Sequence, residues 1–452
     1  MNSHLLTRVR AAEASLSPRS RRVIVVGLWL VLTGAWALVL SSMLVPGWPH
    51  SPPFTTIGPH STLFLDPSDL RHRISEGLTM LHGHDPFTTS IQFTDNVPPS
   101  LSGAYLIFAV VGSTAGILLS VWMSMAAIAV ICGIAWSKVA AIGRCHALVA
   151  SSVALVPVIA VLSVPARSAI WYGQDQLWLL ALVLVDLFVV PRRWTGILTG
   201  LVVSVSFWPA IFVAAIFVRS RWAGVLRSGV GLCVGILAGG LLSWRDTWHS
   251  WTVMVPTGPV DKDAVQVFGV RYPSGFAMFP NMSLHGFLAR PPLGGVLAGT
   301  AAKYLLIVAV AALGLWVAWR LFGRGLPITA VTMVAIAGVD SSPFAWEHHW
   351  CWVALLLPFA AWEARASHPV LAIAMGLATV LFVRPFYFAV TKLVPGLGFR
   401  HVDLSSPKVI VIGGLYALGG ACLLIGGAIA AARGPRGRHA SDAPSASLAD
   451  QR

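Results

Sequence analysis

The sequence predicts an all-α polytopic membrane protein, and three observations carry that prediction. Apolar runs of bilayer-spanning length recur along nearly the whole chain. Only 11% of its 452 residues are charged, less than half the share of about 25% usual in soluble domains. The mean hydropathy is +0.76. Together they exclude a cytosolic enzyme, a secreted disulfide scaffold and a nucleic-acid-binding module, although the pI is about 10.4 and the net charge +14.

The segments follow in order. Residues 1–22 hold Arg8, Arg10, Arg19, Arg21 and Arg22 against Glu13. A basic flank before the first apolar run, 23–45, predicts a cytoplasmic N-terminus. That run is too long for a signal-peptide core and lacks a small-residue cleavage site. Residues 46–100 are rich in Pro, His and Asp and read as an outer loop. Short basic stretches at 137–144, 191–194, 218–222, 319–325 and 362–368 read as inner loops. Spans are then expected near 101–136, 147–165, 176–190, 223–243, 301–319, 326–339, 350–361, 369–391 and 408–431.

The piece 195–217 has basic loops at both ends, so the break at Ser206-Phe207-Trp208-Pro209 predicts two half-helices meeting near the outer face. That makes about twelve membrane segments in a transmembrane domain over 23–431. The run 101–136 is too long for one upright helix and is expected to hide a break. A second outer loop covers 244–300. The tail 432–452 reads as disordered and cytoplasmic. Cys132, Cys145, Cys233, Cys351 and Cys422 lie singly, which supports neither a zinc site nor a disulfide framework.

Polar residues crowd one face. The outer segments 46–100, 166–175, 244–300, 340–349 and 392–407 hold 12 of the 17 acids and 10 of the 14 histidines. The inner side holds 19 Lys/Arg against 5 acids and the outer side 12 against 12, so the whole net charge is an orientation signal. The site is therefore expected outside the plasma membrane, with both termini inside.

Four constellations lie on that face. In the first, Ser68 and Asp69 open a short helix running to about Leu81, with Arg71, His72, Arg73 and Glu76 along it. Asp69 is either its N-cap or a general base just above the membrane, and Asp66 is the rival base. His82 and His84, with Asp85, lack a third ligand at a set spacing. No metal or other cofactor is predicted, and a divalent ion held by carboxylates stays an alternative.

The second is Arg167 with Trp171-Tyr172-Gly173-Gln174-Asp175-Gln176, where Gly173 allows a close turn and Gln174 can bond in two directions. Asp175 also serves as a favourable charge at a helix start. In the third, Asp340, Trp346, Glu347, His348 and His349 cluster at the end of a span. Adjacent helical residues point about 100° apart, so one histidine of the pair is expected to face a shared site. The alternative there is an interfacial aromatic belt. The fourth joins Asn281, Ser283, His285 and Arg290. Asn281-Met-Ser283 is formally a glycosylation sequon, and Arg290 is either a lipid-phosphate ligand or an interfacial snorkelling residue.

Taken in this order, the motifs resemble glycosyltransferase family 87, the polyprenyl-phosphate-sugar-dependent group that includes mycobacterial α-1,2-mannosyltransferases. The family's Asp-Leu, Gly turn and Pro-Pro re-entry look like Asp69-Leu70, Gly83 and Pro98-Pro99. Its Gly-Gln resembles Gly173-Gln174, and its Asn-x-Ser-Leu-x-Gly…Arg resembles Asn281, Ser283, Leu284, Gly286 and Arg290. Its Ser-Pro-x-x-Trp-x-His-His-x-x-Trp resembles Ser342-Pro343, Trp346, His348-His349 and Trp352.

The chain departs from this pattern twice. Val205-Ser206 stands where the family often has Ile-Lys, leaving Arg167, Arg290 or Arg384 as replacement cations, and Arg73 stands where a tyrosine usually follows the Asp-Leu pair.

The resemblance implies a glycosyltransferase-C bundle with short outer jaw helices. It implies transfer of a sugar, mannose foremost, from a polyprenyl-phosphate donor to a glycolipid or lipoglycan acceptor among the membrane lipids, with inversion to an α-mannoside. Asp69 would be the base; His348 or His349, with Arg290, would stabilise the leaving phosphate; Gln174 would orient the site. The rivals are a polyprenyl-phosphate-arabinose arabinofuranosyltransferase and a lipid-linked-sugar transporter or flippase. A transporter would be expected to carry ionisable groups at mid-membrane, where Asp186 is the main acid in a predicted span.

Overall fold

The computed structural model describes residues 17, 68–84, 98–111, 113–139, 156–254, 265–267, 270–272, 281–290, 301–342, 344–383 and 407–433. The expected first span at 23–45, Asp66, Asp85, Cys145, Pro343, Arg384 and most of the tail lie outside the described residues.

Proline decides where many of these helices start. α1 is Ser68–Leu81, α2 Pro99–Val110, α3 Ser113–Val139, α4 Val156–Leu162, α5 Val164–Tyr172 and α6 Gln176–Phe188. α7 is Ile197–Val205, followed by a 3₁₀ turn at Trp208–Phe212, α8 at Val213–Leu242 and α9 at Trp244–His249. Next come α10 (Leu284–Ala289), α11 (Ala301–Phe322), α12 (Pro327–Ser341), a 3₁₀ turn at Glu347–Trp350, α13 (Cys351–Ala354), α14 (Leu357–Ala364), α15 (Pro369–Leu381) and α16 (Pro407–Arg433). α2, α5, the 208–212 turn, α12, α14 and α15 each carry proline in the first two positions, where its missing N–H costs nothing. The long run at 101–136 does break, between Val110 and Ser113.

Two results modify the expectation. A small antiparallel hairpin, β1 (Val265–Val267) with β2 (Val270–Tyr272), pairs Val265 with Tyr272 and Val267 with Val270, so the fold is not wholly α. Among the described residues, 4 helical stretches are long and apolar enough to cross a membrane: 115–139, 208–242, 304–322 and 412–433. α2, α6, α12 and α15 are apolar but shorter. Prolines inside apolar runs, at Pro165, Pro209 and Pro358, open new helices there and so divide those runs.

α12 is the hub. Every residue from Ile328 to Asp340 is buried, and its apolar side chains join those of α3, α6 and α13 in one core with Ile128, Leu180, Ile336 and Trp352. Its N-terminus is capped from α14: Glu363 Oε2 accepts from the Thr329 N–H and hydroxyl, both at 2.7 Å.

α7 is capped in the same way by the wholly buried Asp186, which accepts from Gly196 N at 2.9 Å, Thr199 N at 2.8 Å and Thr199 Oγ1 at 2.7 Å. A carboxylate at a helix N-terminus satisfies donors that have no intrahelical partner and meets the positive end of the dipole. Asp186 is therefore a structural cap.

The half-helix pair predicted around Ser206-Pro209 is present. α7 ends at Val205, the chain turns through Trp208–Phe212, and α8 is broken at Arg221, whose φ of 54° is non-helical. Gly196 abuts Gly224, Gly200 abuts Ser228, and Ser204 abuts Gly235. This parallel register means that 213–220 runs back between two upward pieces. Eight residues span only about 12 Å, so neither half crosses a bilayer alone.

Candidate active site

α1 has an unusual buried face. Leu70, Arg73, Gly77 and Met80 are inward, with Asp69 and Glu76 half-buried on the same side. Asp69 sits in the first turn, after Ser68 opens the helix, and is thus inside it rather than at the cap position. Gly77 allows the close approach to α2: a Cβ there would lie 2.7 Å from the Ser102 carbonyl oxygen. Glu76 accepts from His72 at 3.0 Å, Arg73 at 3.1 Å and the Ser102 hydroxyl at 3.1 Å. Burial pushes its carboxyl up, but the hydrogen bonds and charges of His72 and Arg73 outweigh burial and hold it below the usual value.

Opposite stands the turn after α5. Gly173 closes that helix at φ 70°, with its N–H on the carbonyls of Ala169 and Ile170. Its lack of a side chain also admits Leu70, whose Cβ lies 2.7 Å from where a Gly173 Cβ would be. Tyr105 of α2 donates to the Gly173 carbonyl at 2.9 Å. The turn so held projects Gln174, whose Nε2 donates to Asp69 Oδ2. Asp69-Leu70 and Gly173-Gln174, over 100 residues apart in sequence, interlock.

The histidine pair closes the third side, in contact with α5. The two rings are 4.6 Å apart. His349 Nδ1 accepts from the Trp346 N–H at 3.0 Å, and its ring meets Trp208 of the half-helix turn at 6.0 Å. Trp208 in turn packs on Trp352 at 4.4 Å. His349 is thereby oriented by its own turn, while His348 is buried within reach of the Arg73 charge. Burial pulls His348 well below the usual imidazole range and His349 down to about 4, so both are neutral near pH 7.

The fourth motif forms a clasp. Asn281, 1% exposed, accepts through Oδ1 from Ser283 N at 3.2 Å, Ser283 Oγ at 2.9 Å and Ala345 N at 3.0 Å. Met282 N donates to the Ala345 carbonyl at 2.7 Å, and Ser283 caps α10 by accepting from Gly286 N at 2.9 Å. Buried Arg290 donates to the Asn281 carbonyl at 2.6 Å. The sequon is thus a buried clasp holding the segment that leads to His348, not an accessible acceptor for glycosylation.

His285 is buried and meets Tyr304 of α11 at 6.1 Å. Arg167 stacks 5.0 Å over Trp171. Trp346 and Glu347 are half-buried beside the histidines. His82 is hydrogen-bonded to the Leu78 carbonyl at 2.7 Å, and among the described residues no group of three potential metal ligands converges.

The structure therefore joins Asp69 with Gln174, sets the histidine turn against α5, and places Asn281, Ser283 and Arg290 in a supporting clasp. Reading the sequence missed Tyr105 and Ser102, polar atoms inside an apolar run with no motif to mark them. It noted Glu76 only as a helix former and Trp208 only as part of a break.

A polytopic helical membrane protein, with a carboxylate held by an amide and a histidine pair packed against α5, is the class that fold and site define. The chain belongs to glycosyltransferase family 87, whose sequence profile matches residues 98–341. It is similar to the polyprenol-phosphate-mannose-dependent α-(1-2)-phosphatidylinositol mannoside mannosyltransferase of Mycobacterium tuberculosis, 30% identical over 44% of this chain and 45% of that one. The protein of the same description from Mycolicibacterium smegmatis is 32% identical over 44% of each chain. A pentamannoside mannosyltransferase of the latter organism is 26% identical over 44% of each. The match spans less than half the length of these curated relatives. No solved structure matches this chain.

Proposed function

We propose that the protein is a membrane mannosyltransferase that moves mannose from a polyprenyl-phosphate donor to a lipid-linked glycan acceptor, forming an α-mannoside, α-1,2 in linkage. The observation that carries this reading is the Asp69–Gln174 hydrogen bond in a family whose relatives are described as polyprenol-phosphate-mannose-dependent.

In the reaction, Asp69 accepts the proton of the acceptor hydroxyl as that oxygen attacks the anomeric carbon. The bond from that carbon to the phosphate oxygen breaks, its electron pair leaves with polyprenyl phosphate, and the configuration inverts. Gln174 fixes the carboxylate orientation through its amide, which lowers the cost of reaching the reactive geometry. His348, neutral, serves as a hydrogen-bond donor toward a phosphate or sugar oxygen, and His349 holds the turn that carries it. Trp346 offers a face and Glu347 a carboxylate to sugar hydroxyls, with Arg167 at the rim. Asn281, Ser283, His285 and Arg290 act by keeping the 344–349 segment in place.

The fold proposed is the glycosyltransferase-C bundle, with α1 as a jaw helix. The site faces outward from the plasma membrane, both termini are cytoplasmic, and the donor is lipid-linked because nucleotide sugars are made on the other side. The transport reading loses support now that Asp186 is a helix cap.

The test is transfer in vitro from polyprenyl-phosphate mannose to extracted membrane lipids, wild type beside Asp69→Asn. A loss of at least about 100-fold is expected in the variant, in the range of a lost general base. Equal turnover would remove Asp69 from its role, and no transfer by the wild type would reject the donor class.

A further inference from the structure

We propose that the turns at 190–196 and 219–224 form a binding site for an acidic phospholipid, with Arg192, Arg193 and Arg221 on its phosphate and an exposed stripe of α8 along its acyl chains. This site is separate from Asp69 and Gln174, and its occupancy is measured without the transfer reaction.

The two turns meet at one level. A Cβ on Gly196 would lie 2.3 Å from the Gly224 carbonyl oxygen. Arg227 donates to the Thr195 carbonyl at 2.8 Å and to the Arg192 carbonyl at 2.9 Å, and Arg219 donates to the Val190 carbonyl at 3.3 Å. These two arginines therefore brace the backbone that carries the other three. Arg192, Arg193 and Arg221 are exposed, and among the described residues none of them has a hydrogen bond or ion pair through its guanidinium. The acid beside the turns, Asp186, is wholly buried and spent on the N-terminus of α7.

Arg221 adopts φ 54° and ψ −154°, a region that glycine enters freely and other residues avoid. Glycine would make this break without strain, so the backbone supplies no reason for an arginine there. Its side chain does.

Trp194 and Trp222 stand beside the arginines, 54% and 70% exposed, as indoles do where headgroups meet acyl chains. From Trp222 an exposed apolar stripe continues through Leu226, Val230, Val234, Leu237 and Leu241. At 100° per residue these six stay within about 120° of arc, opposite the small-residue face that packs on α7. Leu226 to Leu241 rises about 22 Å, more than the roughly 15 Å depth of one leaflet's acyl chains.

Free guanidinium groups that lead into an apolar stripe match an amphiphile with an anionic head. The planar fork of arginine can bond two phosphate oxygens at once. The plainer alternative is a set of charges that only orients the chain in the membrane. That role depends on how many charges there are, whereas a site depends on where they lie. Arg320 and Arg433, also exposed and without such bonds among the described residues, provide a charge-matched control.

The experiment titrates the full chain in neutral detergent with dioleoyl phosphatidylglycerol or dioleoyl phosphatidylcholine and counts retained lipid by native mass spectrometry. Wild type is expected to retain the acidic lipid preferentially. Arg192→Gln/Arg193→Gln should lower its affinity about 10- to 30-fold, at the usual worth of two basic residues near a lipid surface, and leave phosphatidylcholine unchanged. The bracing bonds end on backbone carbonyls, so these substitutions leave them intact. Arg192→Lys/Arg193→Lys should keep most of the preference.

Arg221→Gly should melt no lower than wild type and still lose about 5-fold in affinity for the acidic lipid, an outcome that a purely structural role would not give. Arg320→Gln/Arg433→Gln should bind as wild type does. An equal loss in that control, or none in Arg192→Gln/Arg193→Gln, would overturn the inference, as would a wild type that holds both lipids alike. Release of the lipid by excess inorganic phosphate would overturn the lipid as occupant in favour of a free anion.

Discussion

Gly173 meets two requirements at one atom. Its φ of 70° is a left-handed conformation, which costs an L-residue roughly 1–2 kcal/mol. Its missing Cβ also makes room for Leu70, where overpacking costs about 1–3 kcal/mol more. Gly83 shares the first requirement, at φ 75°, but a Cβ added there would meet nothing within 4 Å. Gly83→Ala should therefore cost about 1–2 kcal/mol of strain alone, while Gly173→Ala costs more and pushes Leu70, and with it Asp69, out of place. Thermal unfolding with transfer assays checks this; equal melting shifts and equal activities in the two variants would contradict it.

A second expectation concerns pH. His349 is held down at about 4 in the folded chain by burial, against 6.5 unfolded. Between those values the unfolded chain binds the proton and the folded chain does not, so stability falls as pH drops from about 6.5 toward 4. His349→Gln, which cannot take that proton, should flatten the melting temperature over that window relative to wild type.

At the scale of elements, the pairing of α7 with the second half of α8 depends on a seam of small residues. A Cβ on Gly200 would strike the Ser228 carbonyl, and one on Gly235 would strike the Ser204 hydroxyl. In lipid, such backbone contact replaces the hydrophobic drive between helices. Gly200→Ala should cost about 1–3 kcal/mol, whereas Gly229→Ala, with nothing within 4 Å, should be neutral or gain up to about 1 kcal/mol of helix propensity. Melting both in one detergent decides it, and the same sign for both would refute the seam.

Much of this element was legible beforehand: proline after Ser206, basic stretches at both ends and too little length imposed a re-entrant turn. α1 was legible from Ser68 to Leu81 because it has no breaker. Its inward stripe was not: Asp69 stood out as an N-cap or a base, but that Arg73 and Gly77 turn inward with it follows only from the packing of α2 and α5. Likewise Asn281 was legible as part of a motif but not as a clasp, because nothing local reveals that Ala345 lies beside it. Such contacts between distant segments have no local periodicity to announce them.

The orientation proposed for the whole molecule rests on where its charge lies. If the inner side carries all of the +14, insertion is set by many small basic loops, each of which resists translocation. The short 3₁₀ and half-helix turns that frame the histidine pair then fall on the opposite side, with α1 and its Asp69.

A reporter fused after Arg438 is expected to fluoresce as a cytoplasmic domain and to be inactive as an exported phosphatase. A cysteine introduced at His84, which is exposed beyond the end of α1, should react with a membrane-impermeant maleimide in intact cells. An active exported reporter, or a His84→Cys variant labelled only after permeabilisation, would invert the topology and put the site on the side where nucleotide sugars are made. The lipid-linked donor would then lose its strongest reason. The two probes read opposite faces, so agreement between them fixes the orientation without any assumption about the number of spans between.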